Sequence, residues 1–204
     1  MKTKNDNFIQ KIFYNLLLYN IENSFSGIQR EPIYINYKKE ILNCSKCKNS
    51  IKKVNPYSNI YSEIFIILEP FEFDEKYHFE CKKLFQKMLN AINLNKSQVY
   101  ITNLIKCKSS LLKIENMLNN CKNFLFKELE IVKPKIVLSF GKFAYNCFFN
   151  IEKDINEIRN QVHNFNNIPI IFTYHPVSLI LDEKLKKLAW QDLKFFIKYL
   201  NKIK

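Results

Sequence analysis

The residues best suited to chemistry are four cysteines: Cys44 and Cys47 as a C-x-x-C pair, then Cys107 and Cys121 further along the chain. The first two are too close in sequence to form an ordinary structural disulfide. Two thiolates at that spacing can face one metal centre, and two distant cysteines can complete a four-thiolate set. If the four converge, the chain holds a metal or an iron–sulfur cluster. A second group stands at the ends of predicted strands: Glu69, Asn103 and His175. An acid, an amide and an imidazole on one edge are enough to recognise a base and to stabilise a leaving anion.

The elements that must position these groups are legible from periodicity. Residues 64–68, 99–102, 136–140 and 168–173 are short apolar runs, as expected of parallel strands covered on both faces. Between and after them, residues 81–94, 114–132, 143–149 and 183–203 carry apolar residues at helical spacing. Strands alternating with helices predict an α/β fold: a four-stranded parallel sheet with helices on both sides, in three αβα layers. Open sheets of this kind bind ligands outside the carboxyl ends of their strands. Those ends are Glu69-Pro70, Asn103, Gly141 and His175-Pro176. Upstream, residues 5–20 show a helical period, 24–36 read as a connector, and 37–42 as a short helix entering the first cysteine pair. This divides the chain into an N-terminal helical extension over 1–36 and a domain over 37–204.

Composition narrows the class. The chain has 204 residues, suited to one α/β domain, and only two glycines, Gly27 and Gly141, which excludes a Gly-rich phosphate loop. A net charge of +13, from 32 Lys and Arg against 19 Asp and Glu, favours polyanion partners, above all nucleic acid, although an AT-rich codon bias toward lysine gives the same balance. No signal peptide and no membrane-length apolar run is visible, so a cytoplasmic protein is expected. In that reducing setting, metal binding is favoured over disulfides.

Several segments resemble the family 4 uracil-DNA glycosylases, the iron–sulfur members of their superfamily. They are Val99-Tyr100-Ile101-Thr102-Asn103-Leu104-Ile105-Lys106-Cys107, Val132-Lys133-Pro134-Lys135-Ile136-Val137 running into Phe140-Gly141, Thr173-Tyr174-His175-Pro176, and Ala189-Trp190-Gln191-Asp192-Leu193, together with the order of the four cysteines. The resemblance covers roughly residues 42–200. It implies a [4Fe–4S] cluster on Cys44, Cys47, Cys107 and Cys121, and excision of uracil from single- or double-stranded DNA by base flipping and hydrolysis of the N-glycosidic bond. It implies that Asn103 pairs with the uracil edge, that His175 stands near uracil O2, and that Glu69 orients water or favours the cationic sugar. Phe79 is the aromatic expected to stack on the base. A monomer acting on DNA, with no membrane, completes the expectation.

The first motif departs from the family's Gly-Glu-Ala-Pro-Gly: this chain has Leu68-Glu69-Pro70-Phe71-Glu72, keeping the glutamate and losing both glycines. An alternative reading follows, a catalytically impaired or repurposed iron–sulfur DNA-binding module of the same fold. Leu181 occupies the place of a basic residue in the loop entering the minor groove, where an apolar wedge can intercalate. Other residues have plainer expectations. Cys147 and Trp190 read as core, Cys81 has no matching role, His163 carries no catalytic role, His78 faces solvent, and Lys106 and Lys108 contact phosphates or are solvated.

Overall fold

The computed structural model describes residues 30–47, 52–53, 57–69, 75–108 and 114–203. The helix expected over 5–20 lies outside them. Strands β1 (Lys52–Lys53), β2 (Tyr57–Ser58), β3 (Ile64–Leu68), β4 (Val99–Asn103), β5 (Cys107–Lys108), β6 (Ile136–Phe140), β7 (Val162–Phe165) and β8 (Ile168–Thr173) alternate with helices. The helices are α1 (30–42), α2 (Glu75–Ala91), α3 (Ile114–Val132), α4 (Phe143–Phe149), α5 (Ile155–Ile158), α6 (Pro176–Leu181) and α7 (Leu185–Ile203).

The main sheet has the order β2-β4-β3-β6-β8-β7. Its centre is the expected set of four parallel strands, β4, β3, β6 and β8. The sheet is wider than four strands, because β2 and β7 add antiparallel edges. Both edges are short, and their side chains do not form the continuous apolar run that marks a strand buried on two faces. The turn from β7 to β8 is made by Asn166 and Asn167, at φ 48° and 65°, the left-handed pair a tight hairpin requires. In a chain with two glycines, asparagine takes over this conformation elsewhere too: Asn93, Asn150 and Asn160 also have positive φ.

Alternation along each strand builds two cores. Phe65, Ile67, Val137, Ile170 and Phe172 face α1, α3 and α4. Ile64, Ile66, Ile136, Leu138 and Ile171 face α2, α6 and α7. Period-two strands between two helical layers give the three-layer αβα arrangement. Helix α1 runs through position 36, where a connector was expected, and its Tyr34, Tyr37 and Ile41 are buried in the first core. No helix among the described residues is long and apolar enough to cross a membrane.

Candidate active-site rim and cysteine cavity

The register of the parallel strands sets the rim. Leu68 pairs with Asn103 on one side and with Phe140 on the other, and Phe140 pairs with Thr173. The amide of Leu104 donates to Leu68 O at 2.8 Å, and that of Gly141 to Thr173 O at 2.8 Å. The strand ends that carry Glu69, Asn103, Gly141 and His175 therefore adjoin at one carboxyl edge, where open parallel sheets hold their ligands.

Glu69 is 7% exposed. Its Oε1 accepts from Ala144 N at 3.1 Å, and the amides of Phe143 and Lys142 also face it. Lys142, the N-cap of α4, makes no side-chain cap of its own, so a carboxyl group from another strand satisfies the helix start. Burial outweighs these donors and pushes the Glu69 carboxyl up to about 8. Gly141 makes this packing possible. At φ +112°, a Cβ there would stand 1.9 Å from Glu69 Oε2, so only glycine fits.

Asn103 presents the opposite case. Its side chain is half-exposed. Only its main-chain carbonyl is engaged, by Thr102 Oγ1 at 3.5 Å and Lys106 Nζ at 2.7 Å, so the carboxamide makes no hydrogen bond within the described residues. His175 is the N-cap of α6, and its Nδ1 accepts from Val177 N at 3.4 Å. Burial holds its pKa down at about 4, so the ring is neutral at physiological pH. An accepting Nδ1 puts the proton of a neutral ring on Nε2.

Beyond the rim, Phe79 lies on α2 and is 72% exposed, and Leu181, at the end of α6, is 58% exposed. Trp190 was expected in the core but is 42% exposed, with Lys194 Nζ 5.9 Å from its ring centre. It falls on the outer face of α7, whose apolar side is completed by Ala189, Leu193, Phe196 and Leu200. His163 is packed edge-on against Tyr145 and Phe172, Cys147 is buried in α4, and His78 is exposed.

The four cysteines line one small cavity, of about 10 Å³, together with Lys53, Lys106 and Asn120. Local structure gathers them. Strand β1 pairs with β5, with Lys53 opposite Cys107, which ties the segment after the C-x-x-C turn to the third cysteine. Lys53 Nζ donates to Cys44 O at 2.5 Å. Asn120 on α3 donates to Lys46 O at 3.3 Å and to Cys47 Sγ at 3.6 Å. The amide of Lys106 reaches Cys121 Sγ at 3.5 Å. Amide donors at Cys47 and Cys121, with the Lys53 ammonium at Cys44 O, suit an anionic group. Among the described residues, no three His, Cys, Asp or Glu side chains close on one point as the ligands of a single ion do.

Two buried ion pairs brace the rim, and neither was foreseen. Lys106, expected at phosphates or in solvent, is 2% exposed, and its Nζ lies 2.7 Å from Glu128 Oε2. Thr102 donates to Glu128 Oε1 at 2.8 Å, and Tyr100 at 3.1 Å. Burial pulls the Lys106 ammonium down, against the pull of Glu128. Removing one partner of such a pair costs about 3–5 kcal/mol. At the other end, Asp192 of α7 is buried; its Oδ2 accepts from Thr173 Oγ1 at 2.9 Å and Arg159 Nε at 3.1 Å, and its Oδ1 lies 2.8 Å from Arg159 Nη2 in an ion pair. It thereby holds the strand end two residues before His175. The signal for both pairs was a charged residue inside an apolar period, Glu128 on α3 and Asp192 on α7.

An open, mostly parallel α/β sheet with a half-exposed carboxamide and a neutral imidazole at its carboxyl rim defines a class of ligand-binding folds. The profile of the Uracil DNA glycosylase superfamily matches residues 62–194, and the chain belongs to that superfamily. It is similar to the Type-4 uracil-DNA glycosylase of Archaeoglobus fulgidus, 26% identical over 76% of this chain and 87% of the relative. The corresponding protein of Sulfurisphaera tokodaii is 26% identical over 77% and 80%, and that of Thermotoga maritima 23% identical over 83% and 97%. Within the superfamily, the chain is a family 4-like member.

Proposed function

We propose that the protein is a DNA repair glycosylase that removes uracil from DNA, and that Asn103 and His175 carry the reaction. The observation that bears most weight is the half-exposed carboxamide of Asn103, without a hydrogen bond among the described residues and on the same carboxyl rim as a neutral histidine. An amide offers one donor and one acceptor face to the uracil edge, a pairing that a base lacking the complementary groups cannot satisfy. The target base must leave the stack to reach this rim. As the bond between N1 and the sugar C1′ breaks, its electron pair moves onto the base and charge gathers at O2. A neutral imidazole with its proton on Nε2 can donate to that oxygen without itself losing a charge. Water supplies the oxygen that bonds to C1′, and its released proton balances the departing anion. Glu69 enters through α4: by capping that helix it holds the Gly141 corner of the rim.

We infer that Cys44, Cys47, Cys107 and Cys121, which line one pocket with amide donors at two of their sulfurs, would hold a [4Fe–4S] cluster. When bound, the cluster would cross-link the segment after α1, the β5 strand and α3. The basic surface supports DNA as the partner.

The test is an oligonucleotide carrying one uracil, single-stranded and duplex, scored for abasic sites. Asn103→Ala and His175→Ala should each lower kcat/KM by about 100- to 1,000-fold. For Asn103→Ala, Tm should stay within about 2 °C of wild type. Salt-sensitive DNA binding without abasic sites in the wild type would leave the non-catalytic DNA-binding module as the function.

A further inference from the structure

The five residues from Asn103 to Cys107 carry the base-reading amide at one end and a cavity cysteine at the other. They are closed around a single buried ammonium. Lys106 folds back so that its Nζ meets Asn103 O at 2.7 Å, Thr102 Oγ1 at 2.5 Å and Glu128 Oε2 at 2.7 Å. The same residue's amide is bonded to Cys121 Sγ, and its side chain lines the cysteine cavity. Glu128 is itself held on the far side by Tyr100 and Thr102 of β4. No exposed lysine among the described residues has such a set of partners, and Lys106 itself is 2% exposed.

We propose that Lys106, locked by Glu128, is a positioning residue: it fixes the main chain of Asn103 so that the carboxamide points into the site, and it ties that strand end to the wall of the cysteine cavity. The proposal rests on Asn103 reading the base. Three short bonds to one cation leave the loop little freedom, so the half-exposed carboxamide is aimed without any side-chain hydrogen bond of its own. A free amide is useful for recognition only if its backbone is rigid, because a ligand that must first order it is bound less tightly. The cavity enters the same network through Cys121, so changes in how the cysteines are held reach Asn103 through one residue.

The discriminating variant is Lys106→Met/Glu128→Gln, which removes both charges together and leaves no buried ion unpaired. Two readouts are taken on the full chain: hydrogen exchange of the peptide covering 103–107, and affinity for an uncleavable uracil oligonucleotide relative to its thymine counterpart. Exchange over 103–107 should rise at least about tenfold. Selectivity for uracil should fall at least about tenfold, with affinity for the thymine strand unchanged. Thr102→Val, which removes one partner of the ammonium and leaves both charges in place, should move both in the same direction by less. Unchanged exchange in folded variants overturns the clamp. Raised exchange with undiminished selectivity overturns the positioning role and leaves Lys106 a structural residue. A wild type without uracil selectivity refutes the glycosylase reading instead, and the exchange result still decides the clamp.

Discussion

Glu69 and Asn103 stand at the ends of neighbouring strands, yet their side chains are committed in opposite ways. Glu69 is buried, faces three main-chain amides at the start of α4 and packs on a glycine that admits no substituent. Among the described residues Asn103 engages only its main-chain carbonyl, and its half-exposed carboxamide makes no hydrogen bond. One rim thus contains a corner that holds shape and a corner that can read a ligand. The chemistry of a residue type does not decide which; what decides it is whether the fold has already satisfied its hydrogen bonds.

The strongest way to break this contrast is Gly141→Ala. The added methyl meets Glu69 Oε2 at 1.9 Å on a backbone at φ +112°. The expected loss is at least about 3 kcal/mol, or a Tm lower by the order of 10 °C. Gly141→Ala/Glu69→Ala should recover the steric part and keep the backbone strain. A single variant that melts like wild type would mean that the Glu69 corner is not packed as described.

The next effect is a pH dependence at the same corner. The Glu69 carboxyl is pushed from 4.5 up to about 8, so the folded chain holds a proton that the unfolded chain has released. The contribution of Glu69 is therefore most favourable below about pH 4.5 and is lost as pH rises to about 8, by roughly 4–5 kcal/mol. Urea titrations at pH 5 and pH 8 should show the slope in wild type and a flatter one in Glu69→Gln. His175 has the opposite sign. Its pKa falls from 6.5 to about 4, so the unfolded chain takes the extra proton, and stability is lost as pH falls through that window. An NMR titration should show its ring unprotonated down to about pH 5. A midpoint near 6.5 would remove the neutral donor from the proposed chemistry.

What the sequence revealed follows the same division. Ile114–Val132 and the four parallel strands were legible because burial on one or both faces leaves a periodic trace. The edges β2 and β7 left none, and the Asn166-Asn167 turn, which could have flagged a hairpin, reads as a plain polar pair unless φ is known. Glu69, Asn103 and His175 could be placed at one rim from strand ends alone. That Glu69 caps α4 could not be, since the cap crosses from β3 to a helix more than 70 residues away. Lys106 was misread for a related reason. A lysine is normally solvated, and its burial depends on a glutamate two elements later, on α3.

The smallest expected effect tests the outer margin of the rim. Phe79 is largely exposed on α2, so Phe79→Ala removes no packing and should shift stability by less than about 0.5 kcal/mol. If the ring stacks on an extruded base, its loss should still weaken substrate binding by about 1–3 kcal/mol, the worth of one base on an aromatic face. That loss would appear in KM, with kcat little changed, because stacking acts on ground and transition states alike. Tyr77 lies two residues earlier on the same helix and is half-buried. Tyr77→Ala should therefore lower stability as well as any contribution to binding. A binding loss confined to Tyr77→Ala, with Phe79→Ala silent, would move the stacking role one half-turn toward the start of α2 and leave Phe79 as surface.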